Sequence, residues 1–126
     1  MAAQAAITAE VLATWATPHE AAHHAMLALQ TDDASEGGRA IWERLKGGLI
    51  KAACSHSSRT PRGHAPTPTN TPAMIPSQYW DFFTNEGSNF WNGDARFFFP
   101  DQGSGRSNVI RCFGIKLDPA SLVDRL

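Results

Sequence analysis

The sequence lacks any apolar run long enough to cross a bilayer, which takes about 20 residues. It has no basic stretch leading into an apolar one near its start, so no signal peptide is expected and a cytoplasmic location is. Cysteine is scarce: Cys54 and Cys112 are the two in the chain, and they read as buried thiols rather than a disulfide framework. Neither sign of charge dominates. The formal net charge is -1, which argues against a general polyanion binder. There is also no phosphate-cradling glycine loop, no internal repeat and no Ser–His–Asp pattern that can be placed.

At 126 residues the chain fits one domain. The stretch from Ile75 to Phe99, together with Phe113, holds every Phe, Trp and Tyr of the chain except Trp15 and Trp42. Aromatic side chains bury the most area per residue, so the core is expected there, with Trp80, Phe83, Trp91, Phe97, Phe113 and Ile115 packed together. Mixed with β-branched residues, such a cluster also resembles a stacking surface for bases, but core is the simpler reading.

Local signals divide the rest. Residues 3–14 are Ala-rich and suit a helix that frays. Thr17-Pro18-His19-Glu20 sets a capping hydroxyl, a first-position proline and a Glu three residues on, the arrangement of a capping box. A second helix is expected from Asp33 or Ser35 to Lys46, ended by Gly47-Gly48, and Leu49–Cys54 reads as a strand. Ser55–Ala73, rich in Pro, Ser and Thr, reads as an extended loop. A short aromatic helix from Pro76 and a turn at Asn85–Ser88 follow. Strands are expected over Asp94–Phe99 and Asn108–Leu117, with Val109, Phe113, Ile115 and Leu117 on one face. Asp118-Pro119 then caps a last short helix. The fold class is α+β: an N-terminal helical pair packed on a small antiparallel sheet, with a long Pro/Ser/Thr-rich loop and a short C-terminal helix.

Charge is unevenly placed. Residues 1–38 carry Glu10, Glu20, Asp32, Asp33 and Glu36 and no Lys or Arg. Residues 39–64 carry Arg39, Arg44, Lys46, Lys51, Arg59 and Arg62 against Glu43 alone. Two solvated faces would explain this; an anion-binding strip would as well.

His19-Glu20-Ala21-Ala22-His23 matches H-E-x-x-H and resembles the zinc-peptidase signature, as in the helices of membrane-anchored ATP-dependent proteases. That resemblance implies zinc held by His19 and His23, with Glu20 as general base on a bound water. Asp32, Asp33, Glu36, His56 and His64 are the candidate third ligands. His24 points about 100° from His23 and is expected in solvent. Glu20 already has a role as capping partner of Thr17, so a zinc-dependent hydrolase is the alternative reading and a plain capped helix the main one. Asp81, Asp94 and Asp118, or Asp94 with Arg96 beside Trp91, could also suggest a carboxylate site. A strand entry at Gly93-Asp94, a helix cap at Asp118 and a wet helix face at Asp81 account for them equally.

A second set of residues spans more of the chain. Thr17-Pro18-x-Glu20-Ala21-Ala22, then Ala40 to Ala52, then Ile75-Pro76 and Trp80, is similar to excisionase-like small winged helices. The resemblance implies a second helix in the major groove and a wing on phosphate, here supplied by Arg39, Arg44, Lys46, Lys51, Arg59 and Arg62. The whole chain is also similar to short uncharacterised bacterial proteins. They share W-x-[TS]-P-x-E-A, R-L-x-x-G, I-P-x-x-x-W, F-W-x-x-G-D and G-I-x-[LF]-D-P, met here at Trp15–Ala21, Ile75–Trp80 and Gly114–Pro119 and, with one spacer residue fewer, at Arg44–Gly47 and Phe90–Asp94. No activity travels with that likeness. The expectation is a small non-catalytic binding module, with no cofactor, taking a protein partner or DNA through the basic strip.

Overall fold

The computed structural model describes residues 7–61, 65–100 and 108–121, with backbone alone at 85–88. Three helices come first: α1 (Ala9–Ala13), α2 (Pro18–Ala28) and α3 (Ala34–Lys46). Each has the N-cap its sequence offers, Thr8, Thr17 and Asp33. At α2 the capping box is complete: Glu20 N–H donates to Thr17 Oγ1 at 3.1 Å and Thr17 N–H donates to Glu20 Oε1 at 2.9 Å. Gly47 ends α3 and Gly48 follows at φ +75°.

Two antiparallel sheets follow. Strands β1 (Ala52–Cys54), β4 (Ala73–Ile75) and β8 (Lys116–Leu117) form a three-stranded sheet in the order β4-β1-β8. Strands β2 (His56–Pro61), β3 (Thr67–Thr69), β5 (Phe83–Asn89), β6 (Asp94–Phe99) and β7 (Asn108–Phe113) form a five-stranded one, β3-β2-β7-β6-β5. Two 3₁₀ helices, Ser77–Phe82 and Phe90–Asn92, complete the chain up to β6. The fold is α+β, with the helices N-terminal to most of the sheet and a short helical turn beginning at Pro119. No helix among the described residues is long and apolar enough to cross a membrane.

The aromatic stretch does form the core. Trp80, Phe90, Phe97 and Ile115 are buried with Ile41 and Leu45 of α3, and Phe83 and Trp91 pack against them half-buried. Trp80 meets Phe97 edge-on at 5.2 Å, Phe90 at 5.5 Å and Trp42 at 5.6 Å, a geometry that adds about 0.5–1.5 kcal/mol per pair beyond area burial. Phe113 differs from expectation. Ile110 and Cys112 face the core, so Phe113 faces out and stacks on His56 at 5.0 Å. The cause is Gly114, at φ +65°, a backbone state costly for any residue with a Cβ. It breaks Asn108–Leu117 into β7 and β8 and shifts the in–out alternation by one residue, so that Ile115 and Leu117 are buried as expected while the residues before the break are not in their phase. Ser55 faces this break, its N–H and hydroxyl donating to the Phe113 carbonyl at 2.9 Å and 3.1 Å. Both chain segments therefore pass from one sheet to the other at the same place.

Two other segments depart from the sequence reading. Within Ser55–Ala73 the described residues include two paired strands: β2 aligns with β7 along its length and β3 closes the edge. Its side chains are polar on both faces, so no alternation marks it. Asn85–Ser88, read as a turn, lies inside β5, where the register with β6 slips between Thr84 and Asn89. Residues 122–126, expected to continue the last helix, lie outside the described residues.

The helical pair packs closely because small residues face each other. Ala21 and Ala25 of α2 are fully buried. A methyl group at Gly37 of α3 would sit 2.6 Å from Met26 Cγ and 2.9 Å from the Ala22 carbonyl. In an open helix Gly→Ala gains about 1 kcal/mol; here Gly37→Ala should instead lower the urea midpoint. On β6, Phe97→Ala should cost about 3–5 kcal/mol, whereas Phe98→Ala, one residue along on the outward face, should stay within about 0.5 kcal/mol. Equal losses in denaturant titrations would overturn the assigned phase of the strand.

Candidate functional site

Along α3, Arg39, Trp42 and Lys46 recur at helical spacing and so share one face. That face borders a groove of about 850 Å³ between α2, α3 and the two 3₁₀ helices, with Trp42, Phe83, Phe90 and Trp91 along it and Arg39 and Lys46 at its rim. Trp42 lies 4.8 Å from Phe83 and 5.7 Å from Phe90, and Phe90 lies 4.8 Å from Trp91, all near-perpendicular. The walls are fixed by the same contacts that hold the core, while Trp42, Phe83 and Trp91 keep part of each ring in solvent. Gly38 admits Trp91: a methyl group there would stand 3.0 Å from Trp91 Cζ2. His19 and Asp81 also line the groove. The volume lies in the range of ligand pockets, about 300–1,000 Å³.

The six basic residues of the expected strip do not share one face. Arg39 and Lys46 meet at the groove. Arg44 turns back on its own helix, its Nη1 donating to the Ala40 carbonyl at 3.1 Å. Lys51 lines a separate hollow of about 780 Å³ with Trp15, Met74 and Asp118. Arg59 lies on β2, and Arg62 lies outside the described residues, as does His64.

In the H-E-x-x-H stretch, His19 lines the groove and His23 is exposed on α2, with His24 half-buried. Among the described residues no group of three or more His, Cys, Asp or Glu is placed to hold a metal ion. Glu20 is engaged in the cap, and the Thr17 backbone N–H, then the Thr17 hydroxyl, hold its carboxyl below the usual range. The three aspartates go to three places. Asp81 is at the groove, Asp94 pairs with Arg111 at 3.3 Å, and Asp118 accepts from Ala120 N–H at 3.0 Å as a cap. Cys54 and Cys112 are buried and not joined as a disulfide. The hydrogen bond from Cys112 to Cys54, then burial, pushes the Cys112 thiol far up, which leaves it unsuited to act as a nucleophile.

Against protein-family models, curated proteins and solved structures the chain shows no significant match. The site is therefore read from its own residues. Sequence reasoning missed the groove because Trp42 lies outside the aromatic stretch and its partners Phe83, Phe90 and Trp91 lie far along the chain. The one local signal was the Arg39–Trp42–Lys46 spacing.

The cap gives a pH test. The Glu20 carboxyl titrates below its ordinary value of 4.5 in the folded chain, so its contribution is present above that value and fades as pH falls through the lower folded one. Glu20→Gln should flatten the acid limb of a melting-temperature profile, and Thr17→Ala should cost about 1 kcal/mol. An unchanged acid limb in Glu20→Gln would sink the capping role.

Proposed function

We propose that this chain is a small non-catalytic binding module whose recognition surface is the aromatic groove, and that its occupant is an acidic segment of a protein partner. The observation that carries this is the Arg39–Trp42–Lys46 stripe: two exposed cations flank a partly exposed indole over a concave, ring-lined floor. An aliphatic or aromatic side chain of the partner lies against Trp42 and Trp91, and carboxylates on either side of it meet Arg39 and Lys46. Arg and Trp anchors in desolvated hollows dominate affinity in such interfaces, while the rim charges set the association rate and its salt dependence.

Of the two partners the sequence left open, the groove favours protein over duplex DNA. A duplex presents a regular row of phosphates, which a row of cations on one convex face would track. Here two cations frame an aromatic hollow instead of forming such a row.

The test is fluorescence anisotropy with a fluorescein-labelled peptide of Asp and Glu residues around one central Trp. We expect saturable binding at low salt that weakens as salt rises. Reversing the rim charges together, Arg39→Glu with Lys46→Glu, should weaken it by about tenfold or more, each tenfold being about 1.4 kcal/mol. Both side chains are exposed, so the melting temperature should hold. Absence of binding at low salt, or binding indifferent to the double reversal, would overturn the reading. A duplex-DNA mobility shift abolished by the same variant would return the groove to nucleic acid.

A further inference from the structure

The small sheet β4-β1-β8 has two faces, and register assigns its residues to them. Ala52 pairs with Ile75 on one side and with Leu117 on the other, and all three face the main core. Side chains alternate along a strand, so the next row in register, Met74, Ala53 and Lys116, stands on the outer face. Ile7, Leu12 and Trp15 pack on Ala53 and Met74 there, and Ala53 is fully buried. The following outer position on β1 is Lys51. The ladder still holds at that step, with Asp118 N–H donating to the Lys51 carbonyl at 2.9 Å. Helix α1 is only five residues long, and beside it the hollow of about 780 Å³ opens with Lys51 and Asp118 in its lining. Half-buried Trp15 and Met74, with Ile50 and Val11, give it an apolar surface. Lys51 and Asp118 stand opposite one another, yet among the described residues neither forms an ion pair. Asp118 engages Oδ1 with the Ala120 N–H, and Lys51 is exposed.

We propose that this hollow binds a small zwitterion with an apolar body, namely an α-amino acid with a large apolar side chain. Its carboxylate meets the Lys51 ammonium, its ammonium meets the Asp118 carboxylate, and its side chain lies against Trp15 and Met74. One cation beside one carboxylate disfavours the simpler occupants. A fatty acid would suit Lys51 but bring its own carboxylate up to Asp118, and an apolar amine would do the reverse. A ligand with both charges is complementary to both residues. Residues directly opposed on antiparallel neighbours hold their Cβ atoms about 4.5–5.5 Å apart. Two charged groups carried on one carbon, as in an amino acid, match so close a pair, and the flexible Lys51 stem takes up the difference. The volume lies within the range of ligand pockets and leaves room for the larger apolar side chains. An indole and a thioether form its half-buried wall, and methionine in particular adapts to varied shapes. The hollow shares no lining residue with the aromatic groove, so its occupant is independent of what the groove binds.

Titration of the isotope-labelled full chain with L-phenylalanine, L-leucine and L-tryptophan in turn, followed by NMR chemical shifts at millimolar ligand, tests this. Saturable shifts at Lys51, Asp118 and the Trp15 indole N–H with at least one of the three are expected. For the amino acid that binds most tightly, two analogues separate the charges. The N-acetyl compound lacks the ammonium and the amide lacks the carboxylate, and each should bind about three- to tenfold more weakly. Lys51→Gln should abolish the preference for the acid over the amide. Asp118→Asn should abolish the preference for the free amine over the N-acetyl compound, while Asn still caps the turn. Melting curves of both variants confirm that the fold is retained, and Arg39→Glu with Lys46→Glu at the groove should leave the titration unchanged. No saturable shift with any of the three amino acids, equal binding of the analogues, or preferences unchanged in the two variants would each overturn the assignment. So would loss of binding in the groove variant, which would move the ligand to the groove. Shifts of the Trp15 indole on raising the protein concentration alone, with a dimer seen in sedimentation, would give the hollow to a second copy of the chain and overturn it as well.

Discussion

The contact of Trp80 with Phe97 holds the helical layer to the sheet. Trp80 is carried on a 3₁₀ helix, Phe97 on β6, and Trp42 of α3 reaches the same ring from the far side. Helix α3 and both 3₁₀ helices therefore register on the sheet through one set of edge-to-face rings, and α2 packs on α3 through Ala21 and Ala25. Edge-to-face pairs prefer defined angles, so the network fixes orientation as well as proximity. A consequence follows for the groove: its floor is the solvent-side half of this network. The site is rigid because its walls cannot move without unpacking the core, and preorganisation of that kind lowers the entropic cost of binding. The same coupling means that truncating Trp42 would confound binding with stability, whereas the rim cations can be altered without touching the core.

Much of this was legible in the sequence, for local reasons. The start of α2 could be read from Thr17-Pro18-His19-Glu20 because a capping box is satisfied within four residues, and the end of α3 from Gly47-Gly48. The aromatic core was legible because ring area is a composition effect. What failed to show was whatever depended on partners distant in sequence. Strand β2 has no alternation of its own and is a strand because β7 offers it a ladder. Phe113 points outward because Gly114 faces Ser55 and the alternation slips there, a steric event between segments far apart in the chain. The groove was hidden for the same reason: half of it comes from α3 and half from the residues between 80 and 91. Arg39, Trp42 and Lys46 were each visible, but nothing local says that the face they share looks onto other rings rather than into water.

Charge shows how a nearly neutral chain can still present cations. The acidic first third suggested a solvated acidic face, yet two of its carboxylates are tied to helix ends. Glu20 is bonded to Thr17, and Asp33 accepts from Ser35 Oγ at 2.7 Å and Ser35 N–H at 2.9 Å. Hydrogen bonds of this kind hold both below their usual titration range, that of Asp33 chiefly through the Ser35 side chain. Asp118 likewise accepts a hydrogen bond from the Ala120 N–H at the C-terminal turn. Glu20 and Asp33, so placed, offset the positive ends of their own helices and contribute little field elsewhere. Two of the cations are placed otherwise: Arg39 and Lys46 line the groove with their side chains exposed. A net charge of -1 thus includes carboxylates matched at helix ends and two exposed cations, Arg39 and Lys46, that line one groove. At the scale of a Debye length, about 8–10 Å at physiological salt, anything that approaches the groove meets these cations and not the net value. Shape adds a second condition: the occupant proposed for the groove must present a protruding side chain to a concave, ring-lined hollow.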